Sequence, residues 1–256
     1  MRRNRRAAAG SADVAEIRRI VVASDLGEAS QAALRLAVAI AKAFAADLLI
    51  VHVLPEPPAL SGKVPGFAMT SGDVLERRLA QAESGLRRAK AIAGEGHAHA
   101  AIRCGTVAAE IIRLAKEIEA DLIVLGRRDE SDTDRKIALD VKARAPCPVL
   151  IVPAGCDHES PDHAGHVPSH GVLIATAGAS TAALAYGRAM AQTLRCPVHA
   201  LNAWPGPSPL SRALRRRVSQ NVVSRAACPT LVIGPHCRWR NSGASKVRPT
   251  PVAASA

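Results

Sequence analysis

Two rhythms of apolar residues alternate along the first 153 positions of the chain. Short, nearly unbroken apolar runs at 20–24 and 48–54 read as buried strands, because a parallel strand covered on both faces has no polar side to show. Between them Leu34, Ala37, Val38, Ala41 and Ala45 recur every three or four residues, the one-sided stripe of a helix lying on a sheet. A Pro- and Gly-rich loop at 55–70 leads to a charged helix at 73–93 with Leu75, Leu79, Ala82 and Leu86 inward, then to a weak third strand at 97–103. Thr106 can cap the next helix, whose inner positions are Val107, Ile111, Leu114, Ala115 and Ile118. A fourth strand at 121–125 closes on Gly126, and a short helix at 137–145 precedes a fifth strand at 148–152. Strands alternating with helices predict an α/β fold, an open parallel sheet of the nucleotide-binding, Rossmann-like type with helices on both faces.

The chain then partly repeats itself. Residues 29–54 align without gaps on 179–204, with matches at Ala29/Ala179, Ser30/Ser180, Ala32/Ala182, Ala33/Ala183, Leu34/Leu184, Ala39/Ala189 and Ala41/Ala191. Alanine matches are cheap in an alanine-rich chain. Stronger is Arg144-Ala145-Pro146-Cys147-Pro148-Val149-Leu150 against Arg225-Ala226-Ala227-Cys228-Pro229-Thr230-Leu231, where five of seven positions agree. The offsets are 150 and 81, so the second copy is shorter by 69 residues and lacks counterparts of the third and fourth strands. The resulting organisation is a basic tail at 1–16, a first domain at 17–154, a His-rich linker at 155–169, a truncated second copy at 170–235 and a second basic tail at 236–256.

Hydrophobic residues make up 48% of the 256 positions and aromatic residues only 2%, so the core must be built from Ala, Val, Leu and Ile. That composition argues against recognition by aromatic stacking. The formal charge of +12 would suggest a polyanionic partner if it were gathered on one folded face. Much of it instead lies in the tails, at Arg2, Arg3, Arg5, Arg6, Arg238, Arg240, Lys246 and Arg248, which read as disordered and solvated. Arg212, Arg215, Arg216 and Arg217 fall on the outer face of a predicted helix, and nucleic acid is not the expected partner. The basic start is followed by a stretch interrupted by Asp13 and Glu16, so no secretory signal is read. Residues 37–54 contain Lys42 and Asp47, so no membrane span is read either. Six cysteines without a secretory signal fit a reduced cytoplasm better than a disulfide framework.

Four segments in order resemble the universal stress protein family: Arg18-Arg19-Ile20-Val21-Val22-Ala23-Ser24-Asp25, Ile50-Val51-His52-Val53, Ala120-Asp121-Leu122-Ile123-Val124-Leu125-Gly126 and Ala145-Pro146-Cys147-Pro148-Val149-Leu150-Ile151-Val152. The likeness runs over roughly 17–153 and again over 170–235. It implies a five-stranded parallel sheet entered at its middle, self-association through the last strands as a homodimer or an intramolecular pseudo-dimer, and a role in surviving stress without catalysis. Many members bind ATP at the carboxyl ends of the strands, with an Asp closing the first strand and a G-x2-G-x9-G-[ST] pattern after the fourth. Glycine permits positive φ there and lets backbone N–H groups approach the phosphates.

Asp25 and Gly126 match that pattern, whereas Asp129, Leu139 and Asp140 stand at its other positions. A carboxylate about 4 Å from a phosphate costs about 1–4 kcal/mol. The resemblance therefore implies a remnant nucleotide site at Asp25, Val51, Leu125, Gly126, Arg127, Arg128 and Val141, with no cofactor expected and ATP disfavoured. The second copy departs further, with Ala177 in place of the Asp and Arg216 and Arg217 at the last two motif positions. The alternative function is an ATP-binding sensor that switches a protein partner. No H-x-G-H, S-G-G-x-D-S, Walker-type or G-x-S-x-G signature supports an enzyme.

The remaining candidates each carry two readings. Asp25 is a nucleoside contact or the cap of the turn behind it, and the degenerate loop favours the cap. Arg127 and Arg128 hold an anion or sit in a solvated loop beside Asp129, Glu130 and Asp132. The stretch from Cys156 to His170 offers borderline metal ligands but nothing to fix their geometry, so a flexible linker with no metal site is expected. Cys147 and Cys228 are expected to be buried and inert, and Cys237 to be the reactive thiol.

Overall fold

The computed structural model describes residues 17–55, 71–94, 98–128, 131–154, 172–176, 186–187, 189–192, 197–202 and 228–233. The elements run β1 (Arg19–Ala23), α1 (Glu28–Phe44), β2 (Asp47–Leu54), α2 (Ser71–Ala93), β3 (Ala98–Cys104), α3 (Val107–Glu117), β4 (Leu122–Arg127), α4 (Asp132–Arg144), β5 (Val149–Pro153), β6 (Val172–Thr176), β7 (Val198–Asn202) and β8 (Thr230–Val232). The strands form one sheet in the order β3-β2-β1-β4-β5-β8-β6-β7. Every pairing is parallel except that of β5 with β8.

Strand β1 sits between β2 and β4, in register through Val22 with Ile50 on one side and Val124 on the other. The chain therefore enters the sheet at its middle, builds outward to β3, and crosses back to lay β4 and β5 on the opposite flank. Alternate residues of β1 and β4 feed two separate cores. Ile20, Val22, Leu122 and Val124 pack with α1 and Leu86 of α2, and Val21, Ile123 and Leu125 pack with α3 and α4. Of the stripe that predicts α1, Leu34, Ala37, Val38 and Ala41 are buried as expected, whereas Ala45 is exposed at the end of the helix. The helix ends at Ala45, which takes a left-handed conformation (φ 52°) and donates its N–H to the last carbonyls.

The amino-terminal edges of β1 and β4 are tied by one buried carboxylate. Asp121 Oδ2 accepts hydrogen bonds from the backbone N–H groups of Arg18 and Arg19, each at 2.9 Å. The Tyr186 hydroxyl donates to the Asp121 carbonyl at 2.8 Å, which brings the later part of the chain onto the same corner. Tyr186, Ala189, Met190 and Leu231 belong to the first core, so the segment beyond β5 shares that core.

Two differences from the predicted boundaries bear on the carboxyl end of β4. Strand β4 continues through Gly126 to Arg127, and Arg127 is 1% exposed instead of lying in a solvated loop. Helix α4 begins at Asp132, five residues before the predicted start, because Ser131 caps it with its side chain. Residues 1–16, 155–169 and 236–256, and with them the tails and the His-rich linker, lie outside the described residues, as do Arg212, Arg215, Arg216, Arg217 and Cys237.

Candidate functional site

Where the strand order reverses between β1 and β4, the carboxyl ends of the strands splay around a cleft of about 270 Å³. Ala23 of β1 and Ser24 just beyond it, Val51, His52 and Val53 from β2, and Leu125 and Gly126 from β4 form its floor and walls. Val107 and Ile111 of α3 close one side, and Thr133, Asp134, Ile137 and Ala138 of α4 close another. Asp25 and Arg128 stand at the mouth.

The turn after β1 satisfies its own polar groups. Ser24 Oγ accepts from Leu26 N–H at 3.0 Å and shares a 2.9 Å hydrogen bond with Ser30 Oγ, while the Ser30 hydroxyl donates to the Gly27 carbonyl at 2.8 Å. Asp25 Oδ1 accepts from Gly27 N–H at 3.0 Å, closing an Asx-type turn ahead of α1. His52 Nδ1 is 2.8 Å from the Ser24 carbonyl and fixes the ring against the same turn.

Arg128 dominates the charge of the mouth. Its Nε and Nη2 donate to Asp134 Oδ2 and Oδ1 at 2.8 and 3.0 Å, and its backbone N–H donates to Oδ2 at 3.2 Å. Nη1 lies 3.3 Å from Asp25 Oδ2. One guanidinium thus bridges two carboxylates, and the three groups sum to a single negative charge. Partial burial favours the neutral form of Asp134, but the hydrogen bonds and charge of Arg128 outweigh it and hold the carboxyl below its ordinary range. The same bonds, with a smaller contribution from Asp25, raise Arg128 above its usual value.

Of the residues expected in a remnant nucleotide site, Asp25, Val51, Leu125, Gly126 and Arg128 line the cleft together. Arg127 is buried at the end of β4 and Val141 is buried in the second core, and neither lines the cleft. Leu139 and Asp140 lie in the middle of α4, Leu139 packed against the second core and Asp140 exposed. The motif counted without gaps therefore misses the cleft, because the chain winds into helix where a nine-residue loop would have run. Asp129 lies outside the described residues.

Sequence reasoning missed Ser24, His52, Thr133 and Asp134 as cleft residues. The spacing Ser131-x-x-Asp134 ahead of Ile137 was the available signal for Asp134, since it marks a helix start. Among the cysteines, Cys147 is buried as expected, Cys228 is only half-buried, and Cys104 is exposed. Among the described residues no group of three or more His, Cys, Asp or Glu side chains is placed to hold a metal ion, and no helix is long and apolar enough to cross a membrane.

The universal stress protein family matches residues 16–153. A universal stress protein from Thermus aquaticus is 34% identical over 137 residues, which cover 52% of this chain and 96% of that one. One from Methanocaldococcus jannaschii is 28% identical over 141 residues, or 53% of this chain and 81% of that one. The crystal structure of a universal stress protein from Archaeoglobus fulgidus covers 84% of this chain and 98% of its own at a TM-score of 0.55, with 15% identity, a likeness of fold alone.

Proposed function

The chain belongs to the universal stress protein family, and from that premise we propose that it is a non-catalytic stress-response protein that does not hold ATP tightly. The observation that carries the reading is the Arg128 bridge. Among the described residues, Arg128 is the cation that lines the cleft, and it is already engaged by Asp134 and Asp25, so a polyphosphate would meet net negative charge where it needs donors. Asp25 is further engaged with the Gly27 N–H of its own turn. Cytoplasmic residence belongs to the same reading, supported by the free cysteines Cys104, Cys147 and Cys228.

The reading extends to the second half of the chain. Strands β6, β7 and β8 are a shortened second copy, and β8 covers the edge of β5 that a partner subunit would otherwise take, a pseudo-dimer within one chain. The repeat around Cys147 and Cys228 and the antiparallel pairing of Val149 with Val232 support it.

Equilibrium titration with ATP and the nucleotide content of the purified protein test the central claim. A dissociation constant no tighter than about 100 µM is expected, with no nucleotide released on denaturation. Low-micromolar affinity, or bound nucleotide, would favour the ATP-dependent sensor instead.

A further inference from the structure

The geometry points to Asp134 as the residue that sets the cleft against anions, by withholding Arg128 from any ligand; this rests on the reading above that the cleft does not hold ATP tightly. A guanidinium presents its N–H donors in a fixed fork that suits a phosphate as well as a carboxylate. Arg128 is the first residue beyond β4 and stands at the cleft mouth, where such a fork would meet an entering anion. Asp134 takes its Nε and Nη2 edge in a bidentate pair and also accepts from its backbone N–H, which fixes main chain and side chain together.

Asp134 is itself held in place. It is the third residue of α4, its N–H donates to Ser131 Oγ at 3.1 Å, and its side chain is only 16% exposed. At a helix start of this spacing the acidic side chain ordinarily reaches back to the N–H of the cap residue. Here the Ser131 N–H points to the Arg128 carbonyl at 3.4 Å, and the carboxylate is turned to Arg128. The partners are six residues apart in one chain, so a dissolved anion must displace an intramolecular, charge-assisted competitor. Asp25 occupies the remaining side of the guanidinium.

Changing Asp134 to Asn keeps the shape of the side chain and the Ser131 cap while moving the three-residue charge from negative to neutral. ATP and inorganic pyrophosphate are the probes, titrated into the full chain and into Asp134→Asn. Affinity for both is expected to rise about five- to several-hundredfold in the variant, the change produced by removing one charge at contact distance. The gain should shrink with added salt and vanish in Asp134→Asn/Arg128→Gln.

Arg128→Lys alone provides an independent check should Asp134→Asn fail to fold, because it keeps the three-residue charge and removes only the guanidinium fork. With the fork already withheld, this substitution is expected to leave wild-type ATP affinity within about twofold. A tenfold loss would show Arg128 serving the ligand directly and would overturn the role of Asp134. So would an Asp134→Asn protein that folds, by circular dichroism, yet binds both probes within twofold of wild type. Neither result touches the reading that ATP is not held tightly, which the wild-type titration decides by itself.

Discussion

Single carboxylates hold this molecule at both ends of its sheet. At the amino-terminal edge, Asp121 is 6% exposed and accepts two backbone N–H groups through one oxygen, so removing it orphans both donors. Asp121→Ala should destabilise the fold by about 2–4 kcal/mol, and Asp121→Asn by less, since an amide oxygen can still accept both bonds. Urea denaturation of the two variants measures the difference; equal losses would mean that packing, not the acceptor, is what matters. At the opposite edge, Asp134 has its pKa lowered from 3.8, so its ion pair stabilises the folded state above the unfolded value and loses that contribution as pH falls through the folded one. The stability gap between wild type and Asp134→Asn is therefore expected to be full near neutrality and to narrow below about pH 3.8. A gap independent of pH between 7 and 3 would show that the Arg128 pair adds nothing to the fold. Neither role is legible in the sequence, because the partners of Asp121 are backbone groups 102 and 103 positions away and the partner of Asp134 is an arginine that the pattern places in a solvated loop.

Whole elements were more legible than their ends. Strands and helices with unmixed patterns were placed within one or two residues: β1 at 19–23 against 20–24, β2 at 47–54 against 48–54, β5 at 149–153 against 148–152. Hydrophobic periodicity fixes which residues face a core, and that demand is strong for buried strands. Helix α4 failed at its start because Asp132, Thr133, Asp134, Arg135 and Lys136 form a polar run with no apolar stripe, and the capping spacing beginning at Ser131 carried the only signal. That error propagated into the site, since a motif counted through supposed loop landed two turns along the helix. Leu139→Gly with Asp140→Ser, which restores the last two positions of the glycine pattern on paper, should accordingly create no ATP affinity. It should instead destabilise the protein by about 1–3 kcal/mol, from glycine in a helix interior and from the lost packing of Leu139 on the second core. Thermal denaturation and ATP titration of that double variant check both halves; a gain of nucleotide affinity would return Leu139 and Asp140 to the site.

At the scale of the molecule, the pairing of β5 with β8 covers an edge of β5. An uncovered strand edge recruits another strand, and a two-fold partner would supply an antiparallel one. Here Val149, Leu150 and Ile151 already face Val232, Leu231 and Thr230 in that sense. Leu231 is fully buried in the first core and Val232 in the second, so β8 is bound by its side chains on both faces of the sheet as well as by its backbone. Self-association through the last strands is what the family resemblance implies; β8 pairs with β5 on one side and with β6 on the other. Light scattering should therefore find the full chain as a single copy. Residues 170–235 expressed alone should not unfold cooperatively, because a segment this short buries too little apolar surface without the Tyr186, Met190 and Leu231 contacts to the first core. Leu231→Lys puts a charge into that shared core, so β8 should release β5 and a concentration-dependent dimer should appear. If the wild-type chain is instead a dimer that Leu150→Lys dissociates, the edge of β5 is serving a second subunit and β8 does not occupy it in solution.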